Sequence, residues 1–228
     1  MSSAVTVVLD TSASPLLVAV EKDGRVFTTR RTGIKQEKLL FPALHKVLGD
    51  AAAALTDVKE IFIIRGPGRF TGIRIALTFA SMMQYLAHAQ VKGATVFEVI
   101  SRQVQESKKF KAWKDAHPDG VLAVVLHAFR EEYFLQFFGE KKESPRWLSR
   151  EELLQTLARC PAPLFVAGTD KDFTPLTSLL AGYMLADNRD CRVRPQTLLA
   201  LNREAQFAAH ALEPLYLKPA RFELIKPV

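Results

Sequence analysis

The chain has little cysteine, no paired histidines and no long uncharged apolar run, and each lack removes a class of function. Cys160 and Cys191 stand 31 residues apart with no CxxC motif. That excludes a disulfide scaffold, a cysteine zinc site and a dithiol redox centre, and leaves two small buried thiols in a reducing compartment. The histidines His45, His88, His117, His127 and His210 form no HxxxH or HExxH pair, so no helix-borne metal site is expected. There is no GxSxG elbow either, which removes that type of hydrolase. No window of about 18 residues is both apolar and uncharged. The start, MSSAVTVVLD, lacks the basic flank and apolar core of a signal peptide. A cytoplasmic protein with no membrane role is the expectation.

What is present is ordinary for a folded protein: 228 residues, 48% hydrophobic and 24% charged, enough apolar surface for one large domain or two small ones. The formal charge of +7 is unevenly placed. Residues 1–114 carry 17 Lys and Arg against 9 Asp and Glu, and the remainder 14 against 15. A basic N-terminal half attracts phosphates of RNA or of a nucleotide, and dispersed solvating lysines explain it equally. The densest basic run, Lys108, Lys109, Lys111 and Lys114, is interleaved with Phe110 and Trp113 only, and reads as a solvated loop or a helix end.

Hydrophobic patterning predicts strands at Val5–Asp10, Leu16–Glu21 and Arg25–Arg31, with Lys22-Asp23-Gly24 as the hairpin turn. A helical stripe runs over Gln36–Leu55 despite Pro42, followed by a buried strand at Glu60–Arg65, a helix over Thr71–His88, a strand at Val91–Val96 and a helix over Phe97–Ser107. Beyond Pro118, strands are expected at Val121–Leu126, Tyr133–Phe138, Leu164–Ala167 and around Cys191–Val193. Helices are expected at Arg150–Arg159, near Pro175–Ala181 and at Pro195–His210. Ser149 and Glu152 form a capping box for the first of these, and proline opens the other two. The order implies an α/β protein of two similar lobes, 1–110 and a smaller 111–228, with the boundary near residues 108–118.

Two segments carry candidate chemistry. RGPGRFTGIR, Arg65–Arg74, ends a strand in glycines and opens a helix, which turns backbone donors and a positive dipole end toward any anion. It matches neither the Walker pattern nor the dinucleotide fingerprint. Its competing reading is a tight turn in which Gly66, Gly68 and Gly72 permit close packing. Asp10-Thr11-Ser12, at the end of the first strand, offers a carboxylate and two hydroxyls that suit either a metal-bound phosphate or the donors of a turn. The Thr71–His88 helix has almost no polar face and needs cover on two sides, from the sheet and from a second helix of this chain or of another.

Strand plus DTS, the hairpin LLVAVEKDG, EKLLFPALHKVL and RGPGRFTGIRIALTFA, in this order, resemble the bacterial TsaB family, also called YeaZ, of tRNA threonylcarbamoyladenosine biosynthesis. Gly66–Arg74 looks like the family's GPGSFTG-L/V-R motif with Arg69 for serine, and EPLYLK, Glu213–Lys218, looks like its C-terminal PLYLR element. The resemblance is divergent in the second lobe, where the family's DAR is replaced by His127-Ala128-Phe129-Arg130. Near the first helix, Gln36-Glu37 stands where the family often has histidine or serine before the glutamate.

The resemblance implies a two-lobed actin-like, Hsp70-like ASKHA fold with a repeated sheet topology. It also implies a non-catalytic paralogue of the TsaD enzyme, which holds metal through HxxxH and transfers the threonylcarbamoyl group. The implied partners are a TsaD-like subunit, a TsaE-like ATPase, a second copy when the chain is alone, and tRNA only indirectly. No metal or cofactor is expected on this chain alone, with ATP or ADP placed, if anywhere, at the interface of the complex. Residues for nucleotide or partner contact are Asp10, Thr11, Ser12, Gly66, Pro67, Gly68, Arg69, Phe70, Thr71, Gly72 and Arg74; those for the helical interface are Leu40, Leu44, Ile73, Leu77 and Met83. The competing class is an autonomous enzyme, an ASKHA phosphotransferase using Asp10 and the glycine loop or a peptidase.

Overall fold

The computed structural model describes residues 4–33, 35–140, 143–169, 176, 178–180, 182–204 and 209–218. By contacts the chain falls into two compact units, 1–99 with 193–215 and 100–192 with 216–228. The sequence places a single division at 110/111; here each unit is built from two stretches of chain.

In the first unit, β1 (Val5–Asp10), β2 (Leu16–Lys22), β3 (Arg25–Arg31), β4 (Val58–Ile64) and β5 (Gln90–Ala94) form one sheet in the order β3-β2-β1-β4-β5. The β1–β2 and β2–β3 pairs are antiparallel, and β4 lies parallel to both β1 and β5. Val5, Val7 and Leu9, alternating along β1, join a core with Leu40, Leu44 and Val47 of α1 (Gln36–Asp50) and Ala76, Phe79, Ala80 and Met83 of α2 (Phe70–Ala87). The opposite face of the sheet is apolar over Val8, Ala19 and Phe62 and polar towards one end. There α6 (Pro195–Glu204) presents Asn202, whose Nδ2 donates to Glu60 Oε2 at 2.7 Å, while the half-buried Glu60 carboxylate also faces Lys92 Nζ at 3.4 Å. Lys92 Nζ donates to the Asn202 carbonyl at 2.9 Å, and Arg203 pairs with Glu21 of β2. A buried ammonium needs such partners.

The second unit repeats the sheet. Strands β6 (Val121–Phe129), β7 (Glu132–Phe138), β8 (Arg146–Ser149), β9 (Leu164–Thr169) and β10 (Met184–Leu185) lie in the order β8-β7-β6-β9-β10. Antiparallel and parallel pairs fall in the same places as in the first sheet. The protein is therefore α/β with one mixed sheet used twice, the repeat that the ASKHA resemblance implies. Along one face Ala123, Val125, Leu135 and Val166 pack with Leu153 and Leu157 of α5 (Arg150–Ala158). Ser149 and Glu152 form the expected capping box: the Glu152 N–H donates to Ser149 Oγ at 3.3 Å and the Ser149 N–H to Glu152 Oε2 at 2.8 Å. Those bonds hold the exposed Glu152 carboxyl below its ordinary range.

Several elements differ from expectation. Helix α1 stops at Asp50, five residues early, because Ala52 turns left-handed at φ 46° and the Ala53 N–H closes on the Leu48 carbonyl. That is the closure glycine usually provides, so the sequence does not announce it. The chain after α3 (Val96–Gln105) forms a further helix, α4 (Lys108–Ala116), where the sequence reads as a solvated loop or a helix end. Its lysines ride on Phe110 and Trp113, both buried, which meet Phe165 of β9 with centroids at 5.1 and 5.3 Å. In place of a strand at Cys191–Val193 there is a 3-10 turn over Asn188–Cys191, and Met184–Leu185 supplies the pairing. The burial around Cys191 pushes its thiol up to about 11. The expected helix near Pro175–Ala181 and the residues 205–208 of the last helix lie largely or wholly outside the described residues.

If the aromatic contact holds α4, Phe165→Ala should cost about 3–5 kcal/mol while Lys111→Ala changes stability by less than about 0.5 kcal/mol; urea unfolding followed by circular dichroism distinguishes the two.

Candidate functional site

Asp10, Thr11 and Ser12 leave the end of β1 directly against the start of α2, and all three are buried. Asp10 Oδ1 accepts from the Ser12 N–H at 2.9 Å and from Ser12 Oγ at 2.6 Å. Thr11 Oγ1 donates to the Gly72 carbonyl at 2.7 Å, and the Arg69 N–H donates to the Ser12 carbonyl at 2.7 Å. Both hydroxyls and one donor of the glycine loop are thus engaged within the chain. Burial pushes the Asp10 carboxyl above its ordinary range, with the Ser12 bonds and the more distant Arg30 charge opposing that rise.

The glycines are explained by proximity. A Cβ at Gly72 would overlap the Thr11 carbonyl, and one at Gly68 would overlap the Ser12 backbone. Gly66 has φ 126°, and a Cβ there would lie 2.6 Å from the Leu215 carbonyl. Leu215 also donates its N–H to the Arg65 carbonyl at 2.8 Å, and Arg65 donates to the Glu213 carbonyl at 3.1 Å. The EPL part of EPLYLK therefore backs the glycine loop. Gln36, at the head of α1, completes the joint by donating to the Ala13 carbonyl at 2.7 Å.

The structure brings Asp10, Thr11, Ser12, Gly66, Pro67, Gly68 and Gly72 together in this joint. Phe70, Thr71 and Arg74 instead stand exposed on the outer side of α2. The side chains expected to form a helical interface divide differently. Leu40, Leu44, Ile73 and Met83 are at most 2% exposed, and Leu77 is partly buried against the same core. The sheet takes that stripe, because the apolar residues of α1 and α2 at three- and four-residue spacing are the ones turned inward.

What remains outward is a second set. A groove of about 370 Å³ between the helices is lined by Phe41, Phe70, Arg74, Ile75, Thr78 and Met82, among others. Phe41 and Phe70 are 53% and 56% exposed, and Tyr85 and Leu86 follow further along α2. Phe41 meets Phe79 edge-on with centroids at 6.1 Å, and the Arg74 guanidinium lies over Phe70 at 5.2 Å. The signal was present in the sequence as an aromatic beside the inner stripe of α1 and as a phenylalanine and an arginine one helical turn apart.

The sequence profile described as TsaD, tRNA N6-adenosine threonylcarbamoyltransferase, matches residues 32–122. The chain is 24% identical over 230 residues to the tRNA threonylcarbamoyladenosine biosynthesis protein TsaB of Bacillus subtilis, covering 94% of each. To the protein of the same name from Escherichia coli it is 24% identical over 144 residues, 63% of this chain and 58% of that one. Among solved structures, YeaZ from Pseudomonas aeruginosa superposes with a TM-score of 0.67 at 22% identity, over 94% of this chain and all of that one.

Two outcomes follow from the joint. Gly72→Ala should destabilise by several kcal/mol or prevent folding. Gly49→Ala, in α1 with nothing within 4 Å of the new methyl, should stabilise by about 0.5–1 kcal/mol, both read by denaturant unfolding. For Asp10, a raised carboxyl means that ionisation weakens the fold as pH climbs from the unfolded value through the folded one. Asp10→Asn keeps an acceptor for Ser12 without the charge. It should match the wild-type melting temperature near about pH 3 and exceed it near about pH 7.

Proposed function

We propose that this chain, a member of the TsaB/YeaZ family, acts in tRNA threonylcarbamoyladenosine biosynthesis as the non-catalytic partner of a TsaD-type threonylcarbamoyltransferase. The observation that carries this reading is the exposed aromatic groove on α1 and α2. Two phenylalanines more than half exposed, with Tyr85 and Leu86 beyond them, are an unusual concentration of apolar surface for a side of the molecule with no partner. The buried joint behind it fixes the roll of α2, so the groove is presented by rigid elements. Aromatic and arginine side chains such as Phe41, Phe70 and Arg74 are the types that dominate association energies.

The absence of an HxxxH pair from the sequence supports assigning transfer chemistry to the partner. Within the same reading, a second copy of this chain occupies the groove when the TsaD-type subunit is absent, with the isologous symmetry usual for such pairs. Nucleotide belongs to the assembled complex, where a TsaE-like ATPase acts, and tRNA is met through the partner.

Phe70→Glu should weaken binding to a TsaD-type subunit about thirtyfold or more, the loss expected at a hot spot, with melting within a degree or two of wild type. Leu44→Arg should instead unfold the protein. Calorimetry of the purified pair and thermal melts of each variant report both. Wild-type affinity in Phe70→Glu and in Phe41→Glu would place the partner elsewhere.

A further inference from the structure

The hairpin between β6 and β7, at the position where the sequence departs from the family's DAR, builds a site of its own. Register sets Phe129 opposite Glu132, and Phe134, two residues on from Glu132 on the same face, opposite Trp147 of β8. Trp147 is therefore the diagonal neighbour of Glu132, within reach of a large side chain across the strands. Into the space bounded by the two rings and the carboxylate comes Lys218, the last residue of EPLYLK. Its Nζ lies 2.5 Å from Glu132 Oε2, 5.2 Å from the Trp147 ring centroid and 5.7 Å from that of Phe129.

We propose that Phe129, Glu132 and Trp147 form an alkylammonium-binding box whose ligand in this chain is the side chain of Lys218, so that the C-terminal segment is held by a charge-selective latch. The Lys218 and Glu132 side chains are 32% and 28% exposed. This sets the pair apart from a solvated surface bridge, whose contribution is close to nothing. Ring faces attract a cation through their quadrupoles within about 6 Å, and the attraction grows as water is removed. A carboxylate supplies directionality that rings alone do not. The combination selects a compact positive group on an aliphatic stem and rejects a neutral one of the same shape. It is independent of the role assigned to α1 and α2.

The chain has two tryptophans, Trp113 and Trp147, so their indole N–H signals in a proton–nitrogen spectrum report the box and a distant control together. Lys218→Met, which keeps the stem and loses the charge, should move the Trp147 signal and leave that of Trp113 in place. Glu132→Gln should do the same, and Lys218→Arg should stay near wild type. In Lys218→Ala, n-butylammonium should return the Trp147 signal toward its wild-type position, while n-butanol should not. A wild-type Trp147 signal in Lys218→Met would overturn the proposal. So would rescue by n-butanol equal to that by n-butylammonium, since packing would then account for the contact without charge.

Discussion

The backbone of Thr11 and Ser12 lies so close to that of Gly68 and Gly72 that a methyl group at either glycine would overlap it. This approach determines much of the first unit. It ends β1 and starts α2 at one point, and the Thr11 hydroxyl and the Arg69 amide tie the two together. Gln36 adds the head of α1 from one side, and Leu215 backs the loop from the other. With the start of α2 held there, one stripe of the helix packs into the core, and Phe70 and Arg74 are left outside.

Such a joint is costly in one respect. Asp10 is drawn out of water with it, and burial opposes its ionisation. Ser12 offsets part of that penalty with two short bonds, as a buried acceptor requires. The polar end of the sheet's other face handles the same problem differently. There Lys92, Glu60 and Asn202 bond to one another, so that α6, whose Leu198 and Leu199 are buried, docks through hydrogen bonds as well as apolar packing. A partly removed network of this kind leaves orphaned charges, which makes the position of α6 specific as well as stable.

Cations lie on aromatic faces in several pairs, two of which contrast in geometry. Arg74 over Phe70 is a pair within one helix, set by four-residue spacing. Lys218 with Phe129 and Trp147 joins a terminal segment to a sheet, and its partners come from three strands in register. The first is visible in the helical pattern. The second exists only once the strands are paired.

The sequence by itself determined most elements of the first unit, the α/β class in two similar lobes, the capping box at Ser149 and the resemblance carried by DTS, GPGRFTG and EPLYLK. These are local or periodic properties, legible because side-chain alternation and turn chemistry are written in neighbouring residues. Tertiary structure decided the rest. It put Leu40, Leu44, Ile73 and Met83 inside and Phe41 and Phe70 outside, since an almost wholly apolar helix does not reveal which stripe meets the sheet. It ended α1 at a left-handed alanine, and it held the lysine-rich α4 through Phe110 and Trp113 on a strand more than 50 residues away. It also returned 193–215 to the first unit. Each of these depends on contacts between residues far apart in the chain, where burial and backbone approach, not local preference, set the outcome.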